Sequence, residues 1–244
     1  MAAEVTLAGY GGDLIAGTLA RPATGEKRPG VVVLSDALGL SNHFRGIAAR
    51  FAAEGYTALA LDVFSRTVPP DARPVPEDLP KVAAFLERLP DPQVLGDVEA
   101  AVAWLRVRED ATGRVGCVGF CFGGTYTQMA MALPDGPDAG VDFYGRLRHG
   151  RLSRAKPRHP IDLAERTLGP LLALFGARDP LVAPGHVAAL REALAQSGQP
   201  FEVHVYDGAG HAFFHDGRPE SYFPATAEDA WRRTLAWFGK YLRA

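Results

Sequence analysis

The segment from Gly119 to Gly124, which reads GFCFGG, joins an apolar β-type run to a run of helical composition. Residues 114–118 precede this segment and residues 125–133 follow it. A strand, a sharp glycine-containing turn and a helix, with a nucleophile at the centre of the turn, form a nucleophile elbow. The helix N-terminus stabilises a thiolate there and supplies a backbone N–H to an oxyanion. The segment therefore predicts Cys121 as a nucleophile, against the alternative of a buried cysteine in an ordinary strand–helix turn.

The length and the charge of the chain limit its class. With 244 residues, 47% of them hydrophobic, the chain can bury the core of a single α/β domain, and we predict one such domain over residues 1–244. A net charge of −2 favours neither a nucleic acid nor an anionic membrane as a partner. No stretch approaches the ~20 apolar residues that span a bilayer, and the N-terminus lacks the pattern of a secretory signal. We therefore expect a cytoplasmic protein.

The two cysteines of the chain, Cys117 and Cys121, are too far apart on an extended strand for a disulfide. Four strand residues separate their Cα atoms by roughly 13 Å, and a disulfide needs less than ~7 Å. We therefore predict that Cys117 is a core residue. No pair of histidines or cysteines has the spacing of a zinc site, so no metal and no cofactor is expected.

Apolar runs alternate with helical patterns along the chain, which predicts a doubly wound, mostly parallel sheet with helices on both faces. An antiparallel hairpin is expected at the N-terminus, and a proline-rich segment that suits neither a helix nor a central strand is expected to be an irregular loop. The predicted strands are 4–7, 14–20, 30–34, 56–61, 114–118, 140–144, 170–176 and 201–206; the helices are 43–54, 79–89, 94–106, 125–133, 184–197 and 224–242; the irregular loop is 67–76.

Two further loops place an acid and a histidine after predicted strands. Asp179 follows the strand 170–176, and His211 lies in the sequence DGAGH after the last strand. The chain order of nucleophile, acid and histidine is that of α/β-hydrolases, and ligands of open α/β sheets bind at the carboxyl ends of the strands. His211 alone is equally an ordinary loop histidine, but the three residues together predict a catalytic triad. Asp207 is the alternative acid, and we expect it to begin the turn that positions His211.

A basic stretch lies between Arg146 and His159. Its cationic residues are Arg148, Arg151, Arg154, Lys156 and Arg158. Charge runs are typical of solvated loops, and that interpretation is favoured here. The alternative is that one arginine reaches the pocket and holds an anionic substrate.

Four segments of the chain resemble those of the dienelactone hydrolases. The resemblance extends from about Val31 to the C-terminal helix and is most specific at the elbow cysteine. It implies an α/β-hydrolase fold with a Cys–His–Asp triad that opens an enol lactone to a keto acid. The segments are GFCFGG at 119–124, VDFYG at 141–145, GARD at 176–179 and YDGAGHAF at 206–213.

The resemblance assigns a role to each residue of the triad. Cys121 attacks the carbonyl, His211 acts as base and then as acid, and Asp179 fixes the tautomer of the imidazole. The oxyanion lies between the backbone N–H groups of Phe122 and Ala37.

The resemblance also implies residues that surround the triad. Asp36 stands where the family has a glutamate that contacts the resting thiol, and Tyr144 matches a pocket tyrosine. The family binds a substrate carboxylate with an arginine four residues after the histidine. Here that position is His215, with Arg218 three residues further on. We therefore expect His215 and Arg218 to bind substrate, while this departure argues against a dienelactone as the substrate.

These observations predict a cysteine-dependent hydrolase of a small ester, lactone or thioester. One alternative is an acyltransferase that passes the acyl group from the cysteine to an acceptor other than water. The other is a hydrolase fold retained as a binding or redox-sensing protein with a reactive thiol that does not turn over. The expected partner is a small-molecule ester or lactone, with an anionic substrate as one option.

Overall fold

Eight strands form one sheet in a computed structural model that describes residues 2–23, 25–67 and 78–243. Pairing is antiparallel between the first two strands and between the second and the fourth, and parallel for every other neighbouring pair. The predicted hairpin and the predicted doubly wound sheet are confirmed. The strands are β1 (Ala2–Ala8), β2 (Leu14–Ala20), β3 (Arg28–Leu34), β4 (Thr57–Asp62), β5 (Ala111–Phe120), β6 (Ala139–Phe143), β7 (Leu171–Gly176) and β8 (Phe201–Tyr206), in the order β1-β2-β4-β3-β5-β6-β7-β8.

Within the described residues, six α-helices cover the sheet, each where the sequence predicts one to within a few residues. In the same part of the chain, two short 3₁₀ helices, Tyr10–Gly12 and Pro160–Arg166, have no counterpart in the sequence prediction because one or two turns produce no periodic pattern. Of the predicted irregular loop, only Thr67 lies within the described residues. The helices are α1 (Asn42–Ala53), α2 (Leu79–Arg88), α3 (Asp91–Arg106), α4 (Phe122–Ala130), α5 (Pro184–Ser197) and α6 (Pro224–Leu242).

The alternation of side chains along the central strands builds a core on each face of the sheet. On β3, Val31 and Val33 pack with α1 and α6 on one face, whereas Val32 packs with α3 and α4 on the other. Cys117 belongs to this second core and is fully buried. Burial raises the pKa of its thiol to about 12, although a hydrogen bond with Thr127 acts to lower the pKa. The prediction that Cys117 is a core residue is confirmed.

The carboxyl ends of the parallel strands meet at one edge of the sheet, where backbone hydrogen bonds tie neighbouring loops together. The N–H of Cys121 donates to the carbonyl of Phe143 over 2.9 Å, and the N–H of Tyr144 donates to that of Leu174 over 2.9 Å. The loops after β5, β6 and β7 are therefore held in register. None of the described helices is long and apolar enough to cross a lipid bilayer.

Candidate active site

Cys121 lies between β5 and α4 with a backbone conformation that side chains rarely adopt. Its φ of 55° and ψ of −109° place it at the N-cap of α4, where the thiol is partly exposed. A Cβ at Gly123 would collide with the carbonyl of Leu34, so only glycine fits at this position. The sharp turn predicted from the sequence is therefore present, and the cysteine stands at the end of a helix.

Asp179 and His211 form a hydrogen-bonded pair beside this cysteine. The Oδ2 atom of Asp179 lies 2.8 Å from Nδ1 of His211, and the carboxylate is buried. The backbone N–H of Leu181 donates to the other carboxylate oxygen over 2.8 Å. The acid and histidine loops are in direct contact, because a Cβ at Gly176 would collide with the carbonyl of Ala209. Both oxygens of the acid are thus held, which fixes the ring of His211 in orientation.

The charge state of His211 depends on both of its neighbours. Burial lowers the pKa of His211, but the negative charge of Cys121 and the hydrogen bond to Asp179 outweigh burial and raise the pKa to about 10. The Nε2 atom is buried and has no hydrogen bond of ordinary geometry with any described residue. An imidazole held at Nδ1, with Nε2 beside a thiol and a pKa well above neutral, has the arrangement of a histidine that takes the proton of a thiol nucleophile.

The two backbone N–H groups predicted to bind an oxyanion belong to Phe122 and Ala37. Phe122 is the first residue of α4, so its N–H has no acceptor within the helix. The N–H of Gly123 donates to the carbonyl of Ser35 over 3.0 Å, which ties the elbow to the loop after β3. Ala37 lies in this loop and packs in the same cluster as Phe122. The two donors predicted for an oxyanion therefore lie on loops that are bonded to each other.

Backbone strain in the described part of the chain is confined to this site. Apart from glycines, only Cys121, Tyr144 and Ala212 have positive φ, at 55°, 45° and 61°. The first is the elbow residue, the second follows β6, and the third follows His211 directly. Strained conformations persist where the surrounding structure enforces them, and they cluster at functional sites. The sequence contains no signal for the strain at Ala212.

Tyr144 is fully buried and meets the ring of His211 edge-on, with 5.1 Å between the centroids. Burial raises the pKa of its phenol well above the ordinary value, and the negative charges of Cys121 and Asp36 act in the same direction. Asp142 closes the turn around Tyr144 by accepting from the N–H of Gly145 over 2.8 Å. Burial raises the pKa of Asp142 to about 7. Sequence reasoning missed Asp142 because it lies within an apolar strand.

Asp36 and Arg218 form an ion pair across 182 residues of sequence, with 2.6 Å between Nη2 and Oδ2. The N–H of Leu38 donates to the second carboxylate oxygen over 2.9 Å. The predicted thiol-modulating residue and one of the predicted substrate-binding residues are therefore partners. Both lie close enough to Tyr144 for their charges to act on its phenol.

His215 belongs to a separate cluster of polar side chains beside this ion pair. Its ring stacks on His43 with 3.8 Å between centroids and 12° between the planes, and His43 is bonded to Asp216 over 2.7 Å. Donor atoms of His43, His215 and Asp216 lie within 4.8 Å of one another. A metal needs lone pairs that converge on one point, whereas those of stacked rings run in parallel planes. The cluster in this geometry is therefore a packing feature.

We predict that His215 makes the protein less stable in mild acid. Burial, followed by the charges of His43 and Arg218, lowers its pKa to about 4, against ~6.5 in an unfolded chain. Its contribution to the free energy of unfolding is complete above pH 6.5 and is lost as the pH falls towards 4. Urea unfolding at pH 7.5 and pH 5 should show this loss in the wild type and a smaller loss in His215→Phe. An equal loss in both proteins would assign the effect to other groups.

The predicted solvated loop between Arg146 and His159 is anchored by one buried cation. Lys156 is 5% exposed, and its Nζ lies 2.8 Å from Oδ1 of Asp91 and also contacts the hydroxyl of Tyr126. Tyr126 donates to the same carboxylate oxygen over 2.5 Å, and Nε2 of His149 lies 3.3 Å from the other oxygen. Lys156 thus joins the loop to α3 and to α4, at whose N-cap Cys121 lies, while the arginines are exposed.

Removal of the buried cation should destabilise the protein. In Lys156→Met the Asp91 carboxylate stays buried without its cation, which costs about 3–5 kcal/mol. Urea unfolding at pH 7.5 measures this difference. Arg154→Met, two residues away and exposed, is the matched control and should stay within about 0.5 kcal/mol of the wild type. Equal stability of the two variants would contradict the anchoring role.

A doubly wound sheet with a cysteine elbow, followed along the chain by an acid and a histidine at the carboxyl ends of later strands, defines an α/β-hydrolase. The family model for the "Dienelactone hydrolase family" matches residues 15–242. This chain belongs to the dienelactone hydrolase family.

Individual relatives agree with this assignment. A "Putative carboxymethylenebutenolidase" of Salmonella typhimurium is 35% identical over 232 residues, which cover 94% of this chain and 84% of that protein. A "Probable 2-oxo-3-(5-oxofuran-2-ylidene)propanoate lactonase" of Bradyrhizobium is 33% identical over 92% of this chain and 88% of that protein. The crystal structure of a "Putative Dienelactone Hydrolase" from Klebsiella pneumoniae has a TM-score of 0.90, with 33% identity and 99% of each chain covered. The protein is thus a hydrolase of the dienelactone hydrolase type.

Proposed function

We propose that the protein hydrolyses a small ester or lactone through an acyl-cysteine intermediate on Cys121. The observation that carries this proposal is the hydrogen bond between Asp179 and His211, which leaves Nε2 of His211 uncommitted beside the elbow cysteine. This arrangement supports a nucleophile, a base and an orienting acid in the roles of a catalytic triad.

The reaction proceeds in two steps. The Cys121 thiolate attacks the carbonyl carbon, and the bond to the leaving oxygen breaks as that oxygen takes a proton from the imidazolium of His211. In a lactone the freed hydroxyl remains on the acyl chain. Water then gives a proton to His211 and attacks the thioester, and the acid and the thiolate are released. The N–H groups of Phe122 and Ala37 stabilise the oxyanion in both steps.

The residues around the triad favour a small acyl group. Tyr144 packs against His211 and closes one side of the site. Arg218 is the cation that lies nearest to Asp36, and a substrate carboxylate would compete with Asp36 for its guanidinium. An anionic acyl group would therefore bind at Arg218. We assign His215 the indirect role of supporting this end of the site, because it is buried against His43.

We expect Asp36 to restrain the idle thiol and to assist the working one. A carboxylate near Cys121 disfavours the thiolate. Once a substrate occupies Arg218, the carboxylate is free to accept the thiol proton and pass it to His211, whose imidazolium then protonates the leaving oxygen. Asp36→Ala should therefore speed alkylation of Cys121 by iodoacetamide at pH 7.5 and lower kcat/KM for lactones. Slower alkylation, or unchanged lactone hydrolysis, would leave Asp36 with the role of shaping the loop through Leu38.

Burst kinetics with a p-nitrophenyl ester tests the proposed function directly. A burst equal to one acyl group per protein, followed by steady turnover and loss of both in Cys121→Ala, is the expected result. An increase in turnover, with transfer products, when an alcohol or amine is added would favour an acyltransferase. A burst without turnover would favour a binding or redox-sensing protein with a reactive thiol.

A further inference from the structure

The arginines between residues 146 and 158 differ from most of the other arginines that the structure describes. Arg146, Arg148, Arg151, Arg154 and Arg158 are all exposed, and none of them pairs with a carboxylate among the described residues. Ten arginines elsewhere do have such a partner. No acidic residue occurs between positions 142 and 162, although the whole chain has a net charge of −2. We call the stretch of chain that carries these five arginines, residues 146–158, the arginine segment.

The arginine segment is held in place without the help of its arginines. The N–H of Ile161 donates to the carbonyl of Leu147 over 3.0 Å and closes the loop at its base. The N–H of His149 donates to Nδ1 of His159 over 3.2 Å. The buried pair of Lys156 and Asp91 anchors the distal half. The guanidinium groups are thus presented on an ordered frame, and the fold leaves them free for a ligand.

The arginine segment begins next to the nucleophile. The hydroxyl of Thr125 lies 3.3 Å from the carbonyl oxygen of Cys121 and 3.2 Å from that of Arg146, so these two acceptors share its single proton. Arg146 also follows Tyr144 by two residues, and Tyr144 contacts His211. The backbone of the arginine segment therefore starts beside the backbone of Cys121.

We propose that the arginine segment binds phosphate groups on the non-reacting part of the substrate. Guanidinium groups bind phosphate oxygens through paired charge-assisted hydrogen bonds, and several unpaired cations in one loop repel each other until an anion neutralises them. A single carboxylate needs only Arg218, whereas five free arginines suit a polyanion. This inference rests on the proposed function and names the substrate class as an ester or thioester that carries phosphates distant from the carbonyl.

The first test measures phosphate binding without catalysis. Inorganic pyrophosphate is titrated by calorimetry at low salt into the wild type, into Arg148→Ser/Arg151→Ser and into the control Arg88→Ser/Arg166→Ser. The control removes two exposed arginines that also lack a carboxylate partner among the described residues. We expect binding by the wild type and the control, and binding weaker by about tenfold or more in the segment variant. Absence of binding by the wild type, or equal binding by the two variants, would overturn the inference.

The second test compares two thioesters that differ in their phosphates. At low salt the wild type should hydrolyse acetyl-coenzyme A with a kcat/KM about tenfold above that for S-acetyl-N-acetylcysteamine, and added NaCl should reduce this preference. The segment variant should lose the preference and the control should keep it.

Turnover of both thioesters without a preference would overturn the inference and leave the proposed function intact. Absence of p-nitrophenyl ester turnover would instead overturn the proposed function. Segment-dependent binding to phosphatidylglycerol vesicles without pyrophosphate binding would overturn the inference in favour of a membrane surface.

Discussion

Cys121→Ala should lower ester hydrolysis by about 10⁴-fold or more, because alanine has no atom that can form the acyl intermediate. The variant should fold normally. Alanine has the same Cβ as cysteine, so the strain of a positive φ at this position is nearly the same in both proteins. Hydrolysis of p-nitrophenyl acetate and thermal unfolding by circular dichroism measure the two effects separately. Turnover above about a tenth of the wild-type rate in the folded variant would contradict the assignment of the nucleophile.

The second cysteine supplies the control for this prediction. Cys117 lies four residues earlier and is fully buried in the core, with its sulfur 3.3 Å from the hydroxyl of Thr127. Cys117→Ala should lower the free energy of unfolding by about 1–2 kcal/mol, because a small cavity replaces the sulfur. Its rate of hydrolysis should stay within a factor of two of the wild type. The two variants together separate loss of chemistry from loss of packing.

The sequence predicts the fold and the positions of Cys121, Asp179 and His211 because both depend on local patterns. An apolar strand such as Leu171–Gly176 is recognisable from its composition, and the residue that follows it must lie at the carboxyl edge of the sheet. The elbow is equally local, since its glycines and its cysteine lie within six residues. Chain order then brings Asp179 and His211 to the same edge.

Interactions between distant parts of the chain were not predictable in this way. The partners of the pair Asp36–Arg218 are 182 residues apart, and those of Asp91–Lys156 are 65 residues apart. No periodicity or motif links such positions, and the choice of partner depends on how the loops cross in space. Lys156 illustrates the difficulty, because within a basic run it resembles its exposed neighbours and nothing in its sequence context indicates burial. Asp142 was missed for a related reason, since its hydrogen bond to Gly145 depends on the turn around Tyr144.

Asp179, the proposed triad acid, is the position where the smallest chemical change should have a large effect. Asp179→Asn should lower kcat by about 10³–10⁴-fold and leave KM nearly unchanged. The asparagine oxygen can still accept from the N–H of Leu181, so the amide nitrogen faces Nδ1 of His211. An amide N–H there favours the tautomer with its proton on Nε2, and that nitrogen then cannot accept a proton from the thiol or from water. The neutral amide also removes the charge that stabilises the imidazolium.

Asp207→Asn is the matched control for this change. Asp207 is the other aspartate next to the histidine loop, but it is exposed, and the hydrogen bond to His211 comes from Asp179. The Asp207→Asn variant should keep kcat within a factor of two to three of the wild type.

Rapid-mixing measurement of the acylation step should place the defect of Asp179→Asn in thioester formation, because His211 must act as a base there. A severe loss in Asp207→Asn together with a mild one in Asp179→Asn would exchange the roles of the two aspartates. A raised KM with an unchanged kcat in Asp179→Asn would remove Asp179 from the triad, because a residue that only binds substrate does not alter proton transfer.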